Sequence, residues 1–394
     1  MKKRVIAILA SVTVAFVAMS CVGGATAPSA YQPSEDPYYD HLPFESPYAF
    51  GLDLSFVKRA EDSGRVFYDI DGTQKPAWQI FRDHGYNWAR LLICNSPSTL
   101  GQDLDYVVEG AKKLKEYGYH FALDFMMSDG WANPMTQPMP SEWKDLTYEQ
   151  RVQGIYDFVY NAISTLAEQD LMPEIVHVGN EIGNGMLWPD ARIYYGDERK
   201  ALSKWAELAE MVNAGSRAIR DVEGGDKVQI MIHVDFGGDI EMTNTYFDKM
   251  NEYNVDYDMI GFSFYPWSHG NLLDLRDNLY NTIERYHKPV IVIETGYYAV
   301  PSRTFDLVGI KSAFPESPEG QKQWFQAVNE IVMNAPHNLG RGVFWWEPMS
   351  RGRGFFDADG KAWPIVEAFE PYALPAVRAD GNPRIWDFDE GERP

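Results

Sequence analysis

Two glutamates in this sequence each close a short apolar run. Glu181 follows Ile175-Val176-His177-Val178-Gly179-Asn180, and Glu294 follows Val290-Ile291-Val292-Ile293. A carboxylate at the end of a buried strand is costly unless it is paired or put to use. Cleavage of a glycosidic bond uses two such groups: an acid protonates the leaving oxygen, and a second carboxylate attacks or activates water. The competing explanation is that each glutamate pairs with an arginine or caps a helix. One glutamate alone would favour it. Two, closing the fourth and seventh of a series of apolar runs and one of them preceded by Asn180, favour chemistry.

The elements that must position this pair are legible as an alternation. Short apolar runs suited to strands occur at Ala49–Leu54, Trp88–Ile93, His120–Asp124, Glu174–Val178, Val228–His233, Met259–Ser263, Val290–Ile293 and Gly342–Trp346. Amphipathic stretches lie between them at Leu104–Glu116, Tyr148–Glu168, Ala201–Asp221, Leu272–His287 and Gln321–Asn334. Strands joined by crossover helices pair in parallel. Eight such units predict an α/β fold, a single (β/α)8 TIM barrel with its site at the C-terminal ends of the strands. No glycine-rich phosphate fingerprint follows the first strand, which weighs against an open nucleotide-binding sheet. Polar residues that close the strands are Asp53 and Ser55, Arg90, Asp124, Asn180 and Glu181, His233, Tyr265, Glu294, and Trp346 with Glu347. Such a ring, drawn from distant segments, is what barrel catalysis requires.

Composition narrows the substrate. The formal net charge of −22 argues against nucleic acid, which needs a basic footprint, and disfavours a polyanionic glycan. A neutral ligand fits best. The 12 Trp, 23 Tyr and 21 Phe suit sugar rings lying on flat apolar faces, although core packing accounts for most of them. Residues 1–21 read as an export signal, with Lys2, Lys3 and Arg4 before an apolar run from Val5 to Val17. That run is short for a membrane span. Ala18-Met19-Ser20-Cys21 is similar to a bacterial lipobox, which marks Cys21 for lipidation and anchoring to a membrane, on the periplasmic or cell-surface side. Residues 22–48, rich in Pro, Gly and Ser, read as a flexible tether. The catalytic domain is placed at 49–372, a polar tail at 373–394, and a monomer is expected. With Cys21 lipidated only Cys94 remains, so no intramolecular disulfide is expected.

At this point the residues carry a family resemblance. The chain resembles family 53 of the glycoside hydrolases, the arabinogalactan endo-β-1,4-galactanases. The motifs are Gly51-Leu52-Asp53-Leu54-Ser55, Asp83 to Arg90, Ser128-Asp129-Gly130-Trp131-Ala132-Asn133-Pro134, Val178 to Ile182, Gly185 to Pro189, Met231 to Asp235, Ser263 to Pro266, Ile293-Glu294-Thr295 and Trp346-Glu347-Pro348. The resemblance implies a retaining hydrolase with Glu181 as acid/base and Glu294 as nucleophile. It implies that Asn180 bonds the sugar 2-hydroxyl, that Tyr265 and Arg90 hold Glu294, that His233 lies near Glu181 or the cleaved ring, and that Trp346 floors the reactive subsite. Asp53 joins this substrate-binding set, with Trp131, Trp188 and Trp267 as sugar platforms.

The chain also departs from the family's pattern. Met126 replaces a histidine, Gly130 a threonine and Asn133 an aspartate in the third-strand loop, and Leu92 and Cys94 stand where an arginine and an aromatic are usual. These changes are expected to remodel the non-reducing-side subsites without touching the glutamate pair. No cofactor is required by this reading. Asp306 and Glu316 lie where family members can bind structural calcium, but without a convincing ligand spacing, and the histidines show no clustered metal pattern. The expected substrate is a neutral β-linked galactan or galacto-oligosaccharide. The alternatives are a related retaining hydrolase of exo-like or different β-glycan specificity, and a surface glycan-binding barrel without activity.

Overall fold

The apolar runs do become parallel strands. The computed structural model describes residues 47–369 except 96, 97 and 312, so the leader with Cys21, nearly all of the 22–48 tether and the 373–394 tail lie outside the described residues. The barrel strands are β1 Ala49–Asp53, β2 Trp88–Cys94, β3 His120–Met126, β4 Ile175–His177, β5 Gln229–Val234, β6 Met259–Phe264, β7 Val290–Thr295 and β8 Gly340–Trp345. Each pairs in parallel with the next, and β8 closes on β1. The expected boundaries are right to within two residues at almost every end; β4 is shorter than expected, because the chain turns at Gly179 to deliver Asn180 and Glu181.

The helices follow the strands as predicted, with their caps supplied by sequence. Asp103 caps α3 (Leu104–Tyr117) and Gly118, at φ 72°, ends it. Thr147 and Gln150 form a reciprocal capping box at α4 (Tyr148–Glu168), and Asn271 and Asp274 do the same at α7 (Leu272–Tyr286). Pro318 opens α9 (Pro318–Met333) behind its cap Ser317, where a missing N–H costs nothing. The remaining helices are α1 (Val57–Asp62), α2 (Ala77–Asp83), α5 (Trp205–Arg220), α6 (Ile240–Glu252) and α8 (Thr304–Val308). Helix α6 was not among the expected stretches. Its buried face is sparse, consisting of Thr243, Tyr246, Phe247 and Met250, so its sequence reads as polar.

Side chains alternate across each strand, and the barrel interior is layered accordingly. Ala49, Trp88, Ala122, Ile175, Met231, Met259, Ile291 and Phe344 fill its lower part with apolar volume. Two residues further along, β2 to β5 place Arg90, Asp124, His177 and His233, all fully buried. The barrel is thus an apolar plug topped by a polar layer. A larger core between strands and helices, including Trp78, Phe81, Tyr86, Trp324 and Phe325, locks the outer shell.

Candidate active site

Glu181 owes its position to an abrupt turn after β4. Gly179 has φ 98° and Glu181 itself φ 47°, both left-handed, a conformation costly for a glutamate and paid for by surrounding contacts. Gln137 clamps the turn, its Nε2 donating to the carbonyls of Asn180 at 2.9 Å and Glu181 at 3.3 Å. Asn180 Nδ2 donates to the Ala132 carbonyl at 2.8 Å. That leaves Asn180 Oδ1, which has no partner among the described residues, to accept a hydrogen bond from a ligand. Gln137 was not singled out in the sequence; only its contact with a distant turn identifies it.

Glu294, at the end of β7, is held from two sides. Arg90 Nη2 donates to Oε1 at 2.7 Å, and the Tyr265 hydroxyl donates to Oε2 at 2.9 Å, as the sequence led us to expect. Arg90 is itself fixed by Asp53, whose Oδ2 accepts from Nε at 2.7 Å. Burial opposes the guanidinium's charge, but Glu294, Asp53 and Asp124 together keep it protonated well above its ordinary range. Burial, and then Glu294, push the Tyr265 phenol upward, so it stays a donor.

The two glutamates differ in their surroundings. Burial raises the Glu181 carboxyl well above the usual carboxylate range, reinforced by the negative charges of Glu294 and Asp235. Glu181 is thus set to hold a proton more tightly than an ordinary carboxyl, while Glu294, gripped by a cation and a phenol, is an ordered acceptor. An acid beside a nucleophile is the arrangement a retaining glycosidase uses.

Both glutamates line one cavity of about 1050 Å³, with Asn180, Asn184, Asp235, Tyr265, Trp131, Trp267, Trp346 and Arg353 among its walls. Trp131 and Trp346 meet nearly edge to face at 6.3 Å. The Arg353 guanidinium lies over Trp346 at 5.0 Å and over Trp267 at 5.7 Å. Asp235, Arg353 and His269 were not predicted as site residues. Asp235, pushed up to about 7 by burial, presents an Oδ1 without a partner among the described residues.

Other expected residues fall outside the cavity wall. Asp53 and Arg90 form the floor beneath Glu294 rather than a surface that touches sugar. His233 is fully buried, its Nε2 2.9 Å from Ser263 Oγ. Trp188 is removed from the cavity: its Nε1 donates to the Asn184 carbonyl at 2.9 Å and Arg192 covers its ring at 4.0 Å. Met126 and Asn133 line the cavity. Leu92 does not; it is buried with Cys94, Met126 and Ala132. A Cβ at Gly130 would collide with Thr99 Oγ1, which favours glycine there. Glu316 accepts from Ser302 N and Oγ at 3.1 and 2.8 Å. Closure of the barrel brings together Asp124, His177 and His233, each with a donor atom within 4.8 Å of the others. They come from three strands, so linear spacing could not show it.

The profile of the family described as Glycosyl hydrolase family 53 matches residues 49–371. A protein of Niallia circulans, described as an uncharacterized protein in the bgaB 5′ region, is 36% identical over 315 residues, 77% of this chain and 84% of its own. An arabinogalactan endo-β-1,4-galactanase of Cellvibrio japonicus is 31% identical over 316 residues, covering 77% and 81% of the two chains. A solved structure from work on two fungal β-1,4-galactanases superimposes with a TM-score of 0.73 at 29% identity, covering 81% of this chain and 98% of the other.

Proposed function

The chain belongs to glycosyl hydrolase family 53, and from that premise we propose that it is an endo-β-1,4-galactanase cleaving the β-1,4-galactan side chains of arabinogalactan or pectin by double displacement. The observation that carries the reading is the asymmetric setting of the two glutamates: Glu294 accepts from Arg90 and Tyr265, and Glu181 is buried where its proton is retained. In the first step a Glu294 oxygen attacks the anomeric carbon while Glu181 gives its proton to the departing glycosidic oxygen. In the second, Glu181 takes a proton from water as that water attacks the same carbon, and Glu294 leaves as a carboxylate. Each displacement inverts the carbon, so the product keeps the substrate's configuration. Asn180 Oδ1 is the acceptor suited to the 2-hydroxyl, and Trp346 and Trp131 offer aromatic faces to the sugars.

The cavity of about 1050 Å³ is lined by Trp131, Trp267 and Trp346, which suits several sugars of one chain. We assign no cofactor to the reaction. Cys21 is read as a lipid anchor on an exported monomer, which metabolic labelling with a fatty acid and a Cys21→Ala control would test. The function itself is tested by incubating the protein with β-1,4-galactan and following reducing ends, product sizes and anomeric configuration by NMR. β-Configured oligosaccharides of several lengths are expected. Galactose alone, or an inverted product, would overturn the reading.

A further inference from the structure

Beneath the cavity floor a buried polar layer runs from Glu294 across the barrel. Arg90 bonds Glu294 on one side and stands 3.6 Å from Asp124 Oδ2 on the other. Asp124 Oδ1 lies 3.6 Å from His177 Nδ1. The His177 and His233 rings meet edge to face at 5.4 Å, and His233 touches Ser263. Asp124, His177 and His233 have no exposed surface. Both Asp124 oxygens, both His177 nitrogens and His233 Nδ1 lack a hydrogen-bond partner among the described residues. Three ionisable groups buried under a reaction centre are expensive, and packing alone would be better served by apolar side chains.

Charge decides what they do. One cation, Arg90, faces three carboxylates, Asp53, Asp124 and Glu294; with all ionised, the group carries two uncompensated negative charges in a dry site. A single proton removes one of them. We propose that Asp124 and His177 hold one proton between them beneath the reactive subsite, and that this proton determines how much of Arg90's charge is committed to Glu294. With the proton in place, Arg90 serves Asp53 and Glu294 alone. When it leaves, a third carboxylate competes for the guanidinium and repels Glu294. Asp124 and His177 are thus positioning residues for the nucleophile. This rests on the retaining reading above.

The groups facing Asp124 agree with that placement. Burial pushes its carboxyl up to about 8, against Arg90 and reinforced by Glu294 and Asp53. Burial and Arg90 drive His177 well below its ordinary range, and His233 is lowered likewise, with His177 contributing. On β2, burial raises the Cys94 thiol to about 12, with a contribution from Asp124. The same three side chains could be read as donors to a cation, but Arg90 already stands as a fixed cation against Asp124.

The test uses the full chain and a dinitrophenyl β-galactobioside, whose leaving group needs no proton, so that Glu181 is silent in the first displacement. Wild-type kcat/KM should fall on the alkaline side. Asp124→Asn, which imitates the protonated acid, should keep kcat/KM at neutral pH within about threefold and move that alkaline limb up by at least one pH unit. His177→Gln, which donates to the ionised carboxylate, should move it down. If Asp124→Asn does not fold, His177→Gln decides alone. A limb unmoved in either folded variant overturns the proposal, as does stoichiometric zinc in the purified protein. Unmoved limbs with retained product configuration defeat only the proton pair; inverted product defeats the retaining reading itself.

Discussion

The two walls of the cavity are built on different principles. On the β2–β3 side, Leu92, Cys94, Met126 and Ala132 form a buried apolar cluster with Phe56 and Leu100 packed against it. On the β5–β7 side, Asp235, Tyr265, His269 and Glu294 face the same space. The polar wall holds groups whose charge state is tuned by neighbours, and a displaced atom there disturbs the reaction. The apolar wall sets shape and excludes water. It distinguishes sugars weakly, because an apolar surface rejects a hydroxyl by far less than a hydrogen-bonding site rejects its absence. Reaction type therefore resides on the polar side of the cavity, while the apolar side contributes shape and only weak discrimination.

The comparison is broken most directly at the glutamates. Glu294→Ala should reduce turnover of galactan and aryl galactosides alike to background, since no covalent intermediate can form. Glu181→Ala should cost about 10²–10⁴-fold on galactan yet spare the first step with a dinitrophenyl leaving group, and azide should then restore turnover with a retained azido product. Azide rescue of Glu294→Ala with a retained azido product, and of Glu181→Ala with an inverted one, would show the roles reversed.

A second, smaller effect lies at Tyr265. Tyr265→Phe removes a hydrogen bond to a charged group, worth about 1.5–3 kcal/mol, so kcat/KM should drop roughly 10- to 100-fold. An unaltered value would place that hydroxyl outside the transition state.

The polar layer also leaves a signature in stability. Asp124 is pushed up to about 8 in the folded protein, against about 3.9 unfolded. The folded state keeps a proton that the unfolded chain gives up, so the stability this group supports is full below about pH 4 and lost as pH rises through about 8. Asp124→Asn does not titrate. Its stability relative to wild type should therefore increase from pH 5 to pH 8, by about 4 kcal/mol, measured as the difference in unfolding free energies from denaturant titrations. A difference independent of pH would contradict the assignment.

On the apolar wall the effects should be smallest and should separate two residues that the sequence had grouped. Met126→His places a polar group at the cavity and should change the lengths of the products, with about 1 kcal/mol in transition-state binding. Leu92→Arg should instead cost several kcal/mol of stability by burying a charge, because Leu92 does not reach the cavity. If Leu92→Arg folds normally and shifts the product profile, the wall is thinner than the packing implies.

How much of this was visible in the chain depended on whether the signal was local. Apolar runs spaced by amphipathic stretches gave eight strands and the barrel, and the helix caps at Asp103, Thr147 and Asn271 are written in adjacent residues. Glu181 and Glu294 were legible because a charged residue ending a buried run breaks a local rule. Helix α6 was missed because its buried face is thin. Trp188 lies outside the cavity wall because the turn after β4 folds Arg192, four residues on, over its ring and ties its Nε1 to the Asn184 carbonyl.

The sequence by itself determined the periodicities, the order of the elements and the two carboxylates, since each depends on residues within a turn or a strand of one another. Tertiary structure alone decided the rest. Gln137 clamping the Glu181 turn, Asp53 fixing Arg90, Leu92 withheld from the cavity and Asp124 meeting His177 all follow from the closure and register of the barrel. Closure brings strands from opposite ends of the chain into contact in a medium of low dielectric, where a few tenths of an ångström and one neighbouring charge settle which groups ionise.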